Sequence, residues 1–217
     1  MPQVRSGKEA FAALCLRLRA RGINNIELLN AIEQTPRHLF VPAEAVAHAW
    51  SSRTLPLECG AVLEGVDLAA RLLDVMKLKP SHRVLEIGTG SGFTAAVMGR
   101  LTERVLTVDR YRTLVTLAQE RMDKLSLRNV IVRQADGSNG LQGEGTFDRI
   151  FVTAGFSSYP RIYAEQLVSG GVMLAPIMGD DGIARMMKLT KSGSRFERED
   201  LFETPYLPMV PQVARVL

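Results

Sequence analysis

Three alternate glycines and two acidic residues are the part of this sequence best suited to chemistry. Gly88, Gly90 and Gly92 follow an apolar run that ends in Glu86-Ile87, and a second apolar run ends in Asp109. Glycine lets a turn adopt positive φ and lets a ligand approach the backbone. An acid at the end of the next strand can accept hydrogen bonds from ribose hydroxyls. The pattern therefore predicts a nucleoside pocket in an α/β sheet.

The spacing of these glycines separates cofactor classes. Dinucleotide sites use Gly-x-Gly-x-x-Gly, with a pyrophosphate at the helix N-terminus, whereas this chain has Gly-x-Gly-x-Gly followed by Phe93. The carboxylate of Glu86, two residues before the first glycine, would repel a diphosphate and attract a cationic amino-acid moiety. The sequence also lacks a Gly-x-x-x-x-Gly-Lys-[Ser/Thr] phosphate loop. These features favour S-adenosylmethionine over NAD or ATP.

Apolar periodicity predicts the elements that position this turn. Five strands are expected at 83–87, 104–108, 129–133, 147–153 and 171–177. Helices alternate with them at 92–101, 112–125 and 159–168. A final pair of strands follows at 184–190 and 196–202. This alternation predicts an α/β fold with a doubly wound, mostly parallel seven-stranded sheet covered on both faces.

The region before the sheet is predicted to be mainly helical. Helices are expected at Glu9–Arg21, after the capping residue Asn25, and at Val66–Met76. The segment from Arg37 to Pro42 is expected to be extended because proline breaks helices. At the other end of the sheet, Ser169-Gly170-Gly171 is expected to form a tight turn before the fifth strand. The proline-rich segment 205–211 is expected to lie against the sheet.

The composition of the chain limits its possible binding partners and its cellular location. The net charge is +4 with both signs interspersed, so nucleic acid is an unlikely partner. The two cysteines are too few for a disulfide framework, and the three histidines lack metal-ligand spacing, so no metal site is expected. There is no secretory signal and no 18-residue apolar span. We expect a cytoplasmic protein that does not enter a membrane; its oligomeric state is left open.

The chain resembles the protein-L-isoaspartate O-methyltransferases, a family of class I S-adenosylmethionine-dependent methyltransferases. The resemblance lies in 36–42, 55–56, 84–92, 136–137, 147–154 and 205–210. It implies a Rossmann-like methyltransferase fold with a helical N-terminal extension, S-adenosylmethionine as cofactor, and a protein-repair activity on a protein or peptide substrate. We expect one methyltransferase domain over 1–217, with the helical part and a substrate loop in 1–80 and the cofactor-binding core and C-terminal strands in 81–217.

The resemblance also implies roles for individual residues. The methionine and ribose part of the cofactor would be lined by Glu86, Gly88, Thr89, Gly90 and Gly92. Asp109 would accept from the ribose hydroxyls, Asp136 and Gly137 would lie at the adenine, and Thr153 would lie beside the transferred methyl group.

The substrate loop departs from the family pattern. Members carry Gly-Gln-Thr-Ile-Ser-Gln-Pro, which aligns with 60–66 here and places Val62 at the threonine and Glu64 at the catalytic serine. Glu64 is thus the candidate catalytic residue, and it is either protonated, turned away from the acceptor as a solvated loop carboxylate, or matched to a different acceptor. Three functions stay open: isoaspartyl methylation, cofactor binding without that activity, and methylation of a small molecule or nucleic acid.

Overall fold

A mixed sheet of seven strands organises the protein, whose computed structural model describes residues 7–214. The strands are β1 Leu55–Pro56, β2 Val62–Leu63, β3 Arg83–Ile87, β4 Arg104–Asp109, β5 Val130–Gln134, β6 Phe147–Val152, β7 Ala154–Gly155, β8 Leu167–Met178, β9 Ala184–Ser192, β10 Arg195–Glu203 and β11 Leu207–Pro208. The α-helices are α1 Gly7–Ala20, α2 Ile26–Glu33, α3 Val66–Val75, α4 Phe93–Gly99 and α5 Arg112–Lys124. Short 3-10 helices cover Arg37–Phe40, Ala43–His48, Glu58–Gly60 and Arg161–Ala164.

The order of strands in the large sheet is β10-β9-β8-β6-β3-β4-β5. Strands β5, β4, β3, β6 and β8 are paired in parallel, and β9 is antiparallel to both of its neighbours, β8 and β10. The predicted mostly parallel seven-stranded sheet is therefore confirmed. Chain order reverses between β3 and β6, because β4 lies on one side of β3 and β6 on the other. In open α/β sheets, ligands bind at such a point, beyond the carboxyl ends of the strands.

Successive side chains on a strand point to opposite faces of the sheet, and they belong to two hydrophobic clusters, one on each face. On β3, Val84 joins a cluster built with the N-terminal helices and α4, and Leu85 and Ile87 join the other. The first cluster includes Leu14 and Leu18 of α1, both fully buried. Both faces of the sheet are thus covered, the first by α-helices and the second by loops, the 3-10 turn Arg161–Ala164 and the C-terminal segment.

Two local predictions around the start of β8 were wrong. Instead of a helix at 159–168, only the 3-10 turn Arg161–Ala164 forms, because buried Tyr163 packs against Phe156 and the chain must enter β8 by Leu167. Ser169-Gly170-Gly171 does not precede a strand but lies inside β8, opposite an irregularity in the pairing with β6. Gly170 has a φ of +73°, which absorbs this irregularity without ending the strand.

The N-terminal part differs from expectation in one segment. Asn25 caps α2 as predicted, because its side chain accepts a hydrogen bond from the amide of Leu28. Residues 37–40, however, form a 3-10 turn rather than an extended run. The turn buries the guanidinium of Arg37 against the ring of Phe93, 4.2 Å from its centroid, and turns Nε toward the carbonyl of Ala49 at 2.8 Å.

Candidate active site

A cavity of about 640 Å³ opens at the carboxyl ends of β3, β4 and β6. This volume falls in the usual range for small-molecule sites. Its walls include the glycine turn after β3, the ends of the neighbouring strands, the segment 59–64 and the C-terminal segment 204–210. Side chains of α3, α4 and α5 also contribute to the lining. The cavity therefore lies at the chain-order reversal, where the topology favours a ligand.

The glycine turn provides a wall of bare backbone. Gly88 has a φ of +94° and Gly90 a φ of +51°. A Cβ on Gly88 would overlap the hydroxyl of Thr153, which donates a 3.1 Å hydrogen bond to the Gly88 carbonyl. Gly88, Thr89, Gly90 and Thr153 line the cavity. Gly92 lies outside its lining and instead begins α4 in the left-handed region, packed close to Ala118 and Met122 of α5.

Asp109 faces the cavity from the end of β4. Its Oδ2 accepts from the amide of Gly90 at 3.0 Å, and its Oδ1 accepts from the amide of Tyr111 at 3.0 Å. Each oxygen keeps a lone pair for a ligand hydroxyl. Burial raises the pKa of this carboxyl, although the backbone donors oppose the shift. Fixed in this way, Asp109 is a prepared acceptor for a pair of hydroxyl groups.

Glu86 lies behind the glycine turn and outside the lining of the cavity. It is fully buried, and its oxygens accept from the hydroxyls of Thr94 at 2.5 Å and Thr107 at 2.6 Å. Burial raises its pKa to about 8, against the effect of these two donors. The hydroxyls of Thr107 and Thr89 are 2.7 Å apart. Glu86 therefore reaches the cavity wall through Thr94 and through a chain of two threonine hydroxyls.

The C-terminal segment closes the far side of the cavity. Asp136 accepts from the amide of Ser138 at 2.8 Å and from the amide of Gln212 at 2.7 Å. Burial alone would raise the pKa of Asp136, but these hydrogen bonds outweigh it and lower the pKa. Arg110 Nε donates to the Gln212 carbonyl at 3.1 Å. Beside Asp136, Gly137 lines the cavity and leaves no room for a Cβ next to Ile87.

Glu64 is brought into the same cavity as the glycine turn, so it is not a solvated loop carboxylate. Its Oε1 is buried and has no hydrogen-bond partner. Its main-chain carbonyl accepts from Nη2 of Arg37, 27 residues earlier in the chain. Burial raises the pKa of the Glu64 carboxyl, against the attraction of Arg37. A carboxyl at the substrate loop is thus held at the cavity wall.

Sequence reasoning did not foresee several of these groups. The C-terminal segment was expected against the sheet, and β11 does pair with β7 there, but residues 205–210 also line the cavity. Glu86 has two hydrogen-bond partners, Thr94 and Thr107. Strand alternation explains why Glu86 meets Thr94, because Glu86 lies on the same face of β3 as Val84, and α4 covers that face. No pattern in the sequence links Arg37 with Glu64.

The charges around the cavity suit a cationic cofactor. Its lining includes the carboxyl groups of Glu64, Asp109 and Asp136 and the guanidinium of Arg110. An excess of carboxyl groups attracts a sulfonium or ammonium group and repels a diphosphate. Together with the bare glycine backbone and the free lone pairs of Asp109, these residues fit S-adenosylmethionine. Among residues 7–214, no helix is both long enough and apolar enough to cross a membrane.

Comparisons with known proteins place this chain in one family. The model of the protein-L-isoaspartate(D-aspartate) O-methyltransferase family matches residues 9–214. A protein-L-isoaspartate O-methyltransferase of Rhizobium meliloti (strain 1021) is 59% identical over 204 residues, which are 94% of this chain and 100% of that relative. The enzyme of the same name from Azorhizobium caulinodans is 41% identical and covers 95% of each chain.

Solved structures agree on the fold. A protein-L-isoaspartate O-methyltransferase superposes with a TM-score of 0.83 at 24% identity, over 95% of this chain and 66% of that one. A Plasmodium falciparum protein in complex with S-adenosyl-L-homocysteine superposes with a TM-score of 0.77 at 21% identity, over 91% of this chain and 97% of that one. The resemblance seen in the sequence is confirmed: the chain belongs to the protein-L-isoaspartate(D-aspartate) O-methyltransferase family and is an S-adenosylmethionine-dependent methyltransferase.

Proposed function

We propose that this enzyme methylates the free carboxylate of L-isoaspartyl residues in proteins or peptides. The observation that carries the proposal is the 59% identity to the Rhizobium meliloti enzyme, which extends over the whole of that relative. The matched region includes the N-terminal part, and therefore both the cofactor side and the acceptor side of the cavity.

In this proposal, different residues around the cavity bind different parts of the cofactor. Asp109 accepts from the ribose hydroxyls, and the backbone at Gly88, Thr89 and Gly90 allows close approach of the methionine part. Asp136 and Gly137 border the adenine. Glu86 acts through Thr94 and Thr107 rather than by direct contact, and Gly92 acts by fixing the start of α4.

For methyl transfer, the main task of the protein is to position the acceptor relative to the cofactor. Bound S-adenosylmethionine supplies a methyl group on a sulfonium, whose departure leaves a neutral thioether. The chain holds the acceptor carboxylate in line with that bond, near Thr153, and excludes water, and such positioning accounts for much of the rate enhancement. An acceptor carboxylate already carries a lone pair, so no general base is required.

A radiolabelled methyl-transfer assay tests this function directly. The substrates are two synthetic peptides of one sequence that differ only in an isoaspartyl or an ordinary aspartyl linkage. We expect base-labile label in the isoaspartyl peptide and none in the matched aspartyl peptide.

A different result would favour one of the alternatives, which rest on the replacement of the family serine by Glu64. If S-adenosylhomocysteine binds but neither peptide is labelled, the protein is a cofactor-binding relative without this activity. Label on a small molecule or nucleic acid in place of the peptide would show a different acceptor.

A further inference from the structure

Three contacts fix the backbone around Glu64, which connects β2 to α3. Arg37 donates to the carbonyl of Glu64 itself, and the amide of Val66 donates to the carbonyl of Ser51 at 3.2 Å. Between them, Gly65 packs so closely on the backbone of Ser52 that a Cβ there would overlap it. The carboxyl group of Glu64 is therefore presented to the cavity by a rigid support.

The side chain of Glu64 has unused hydrogen-bonding capacity inside the protein. Its Oε1 and the Nη1 of Arg37 are both buried, and neither has a hydrogen-bond partner. No ion pair joins the two residues in the part of the chain that the structure describes. A buried polar atom without a partner is costly, so an unsatisfied group at a cavity wall points to a ligand that satisfies it.

The charged groups around Glu64 decide its protonation state. Arg37 attracts the Glu64 carboxylate from the 3-10 turn Arg37–Phe40, and the charge of Glu64 in turn raises the pKa of Glu86 on β3. Asp67, on α3, is already paired with Arg17 and Arg21. Burial, the dominant effect, raises the pKa of Glu64 and outweighs the attraction of Arg37. A second carboxylate brought into the cavity raises the pKa further.

We propose that Glu64 keeps its proton in the working enzyme and donates a hydrogen bond to the acceptor carboxylate. This inference rests on the proposed function, because it requires an anionic acceptor. Glu64 donates to the carboxylate oxygen that does not attack, while the other oxygen forms its bond to the methyl carbon and the carbon–sulfur bond breaks. No proton is transferred, and Glu64 ends the reaction as it began. Glu64 is then the residue that selects a carboxylate acceptor.

The pH dependence of kcat/KM for the isoaspartyl peptide, at saturating cofactor, tests this role. In the wild-type enzyme, activity falls as pH rises through the raised pKa of Glu64, because the ionised carboxylate repels the substrate. Glu64→Gln keeps a donor at every pH, so we expect it to retain activity and to lose that part of the decline. Glu64→Ser, which restores a hydroxyl, is expected to behave like Glu64→Gln. Glu64→Ala removes the donor, and we expect about a 10- to 100-fold loss in kcat/KM.

Controls separate this role from folding and from the function itself. Glu58→Gln changes an exposed carboxyl in the same segment and should leave the pH profile unchanged. Affinity for S-adenosylhomocysteine should be equal in all these proteins, which shows that the cofactor side is intact. If wild type and Glu64→Gln have the same pH profile, or if Glu64→Ala is fully active, the inference is wrong although the proposed function stands. If wild type labels no isoaspartyl peptide at any pH, the proposed function itself fails.

Discussion

Asp109 is the side chain on which cofactor affinity should depend most directly. Its oxygens are already oriented by the amides of Gly90 and Tyr111, so a ligand hydroxyl meets an acceptor that needs no rearrangement. We expect Asp109→Asn to weaken binding of S-adenosylhomocysteine by about 1.5–3 kcal/mol, the range for hydrogen bonds to a charged group. Isothermal titration calorimetry measures this loss.

The matched control is Asp181→Asn, which changes an exposed acid that pairs with Arg185 between β8 and β9. Its affinity should equal that of the wild type. An Asp109→Asn protein that binds as tightly as the control, with an unchanged melting temperature, would remove Asp109 from the site.

Glu86 should make stability depend on pH in the protein without cofactor. Its pKa is about 8 in the folded state and about 4.3 in an unfolded chain, so folding favours its protonated form. This contribution is complete below about pH 4.3 and is lost as pH rises toward 8, at about 1.4 kcal/mol per pH unit. We expect Glu86→Gln to gain stability relative to wild type across that window. Urea unfolding at a series of pH values measures the difference.

The control for this experiment is Glu44→Gln, because Glu44 is exposed. Its stability should differ from wild type by the same amount at every pH. If the difference between Glu86→Gln and wild type is likewise constant with pH, Glu86 does not titrate in this range.

These two acids also show how far sequence alone reaches at the residue scale. The ends of β3 and β4 could be predicted from apolar runs, and with them the positions of Glu86 and Asp109 in the chain. Whether Glu86 lines the cavity depends on the direction of its side chain, which is set by what packs on each face of β3. The hydrogen bond from Arg37 to the Glu64 carbonyl joins two segments that no local periodicity connects.

At the element scale, the C-terminal segment closes the cavity and depends on one glycine. β11 pairs with β7, and the amide of Met209 donates to the carbonyl of Gly155 at 2.8 Å. A Cβ on Gly155 would overlap the ring of Tyr206. We expect Gly155→Ala to displace this segment, speed amide exchange at Met209, and weaken S-adenosylhomocysteine binding, at a cost to stability of about 1–3 kcal/mol. Hydrogen–deuterium exchange and calorimetry measure these effects.

Gly7→Ala is the control, because a Cβ there meets nothing within 4 Å and its backbone is not left-handed. It should leave exchange in 205–210 unaltered. Slow exchange at Met209 in Gly155→Ala would mean that the segment is held by its other contacts, chiefly those of Gln212.

Elements were predictable where their own periodicity decided them and not where packing did. Strands β3, β4 and β6 fall within a residue of their predicted ends, because short apolar runs bounded by turn residues are typical of buried strands. The segment 159–168 has helical spacing, yet only Arg161–Ala164 turns. Its apolar residue Tyr163 is anchored in the second cluster, and pairing of Leu167 with Phe147 draws the following residues into the sheet.

At the scale of the whole molecule, the cavity lies where separate parts of the chain meet. Its walls are formed by the sheet, the loop from the N-terminal part and the C-terminal segment. A ligand bound there therefore contacts all three parts. The division into 1–80 and 81–217 within one domain, and the cytoplasmic location, stay predictions. A consequence of the shared cavity is that ligand binding should stabilise the protein as a unit.

Thermal unfolding should therefore report the cofactor class. A ligand that binds only the folded state at 100 times its Kd adds about 2.7 kcal/mol, and for a chain of this size each kcal/mol raises the melting temperature by about 2–4 °C. We expect S-adenosylhomocysteine at that ratio to raise the melting temperature by about 5–10 °C in a single transition. ATP and NADH should give no rise, because the carboxylates of Asp109 and Asp136 repel their phosphates. Equal shifts with ATP would mean that the acidic lining does not select the cofactor, and a shift confined to one of two transitions would mean that the walls unfold separately.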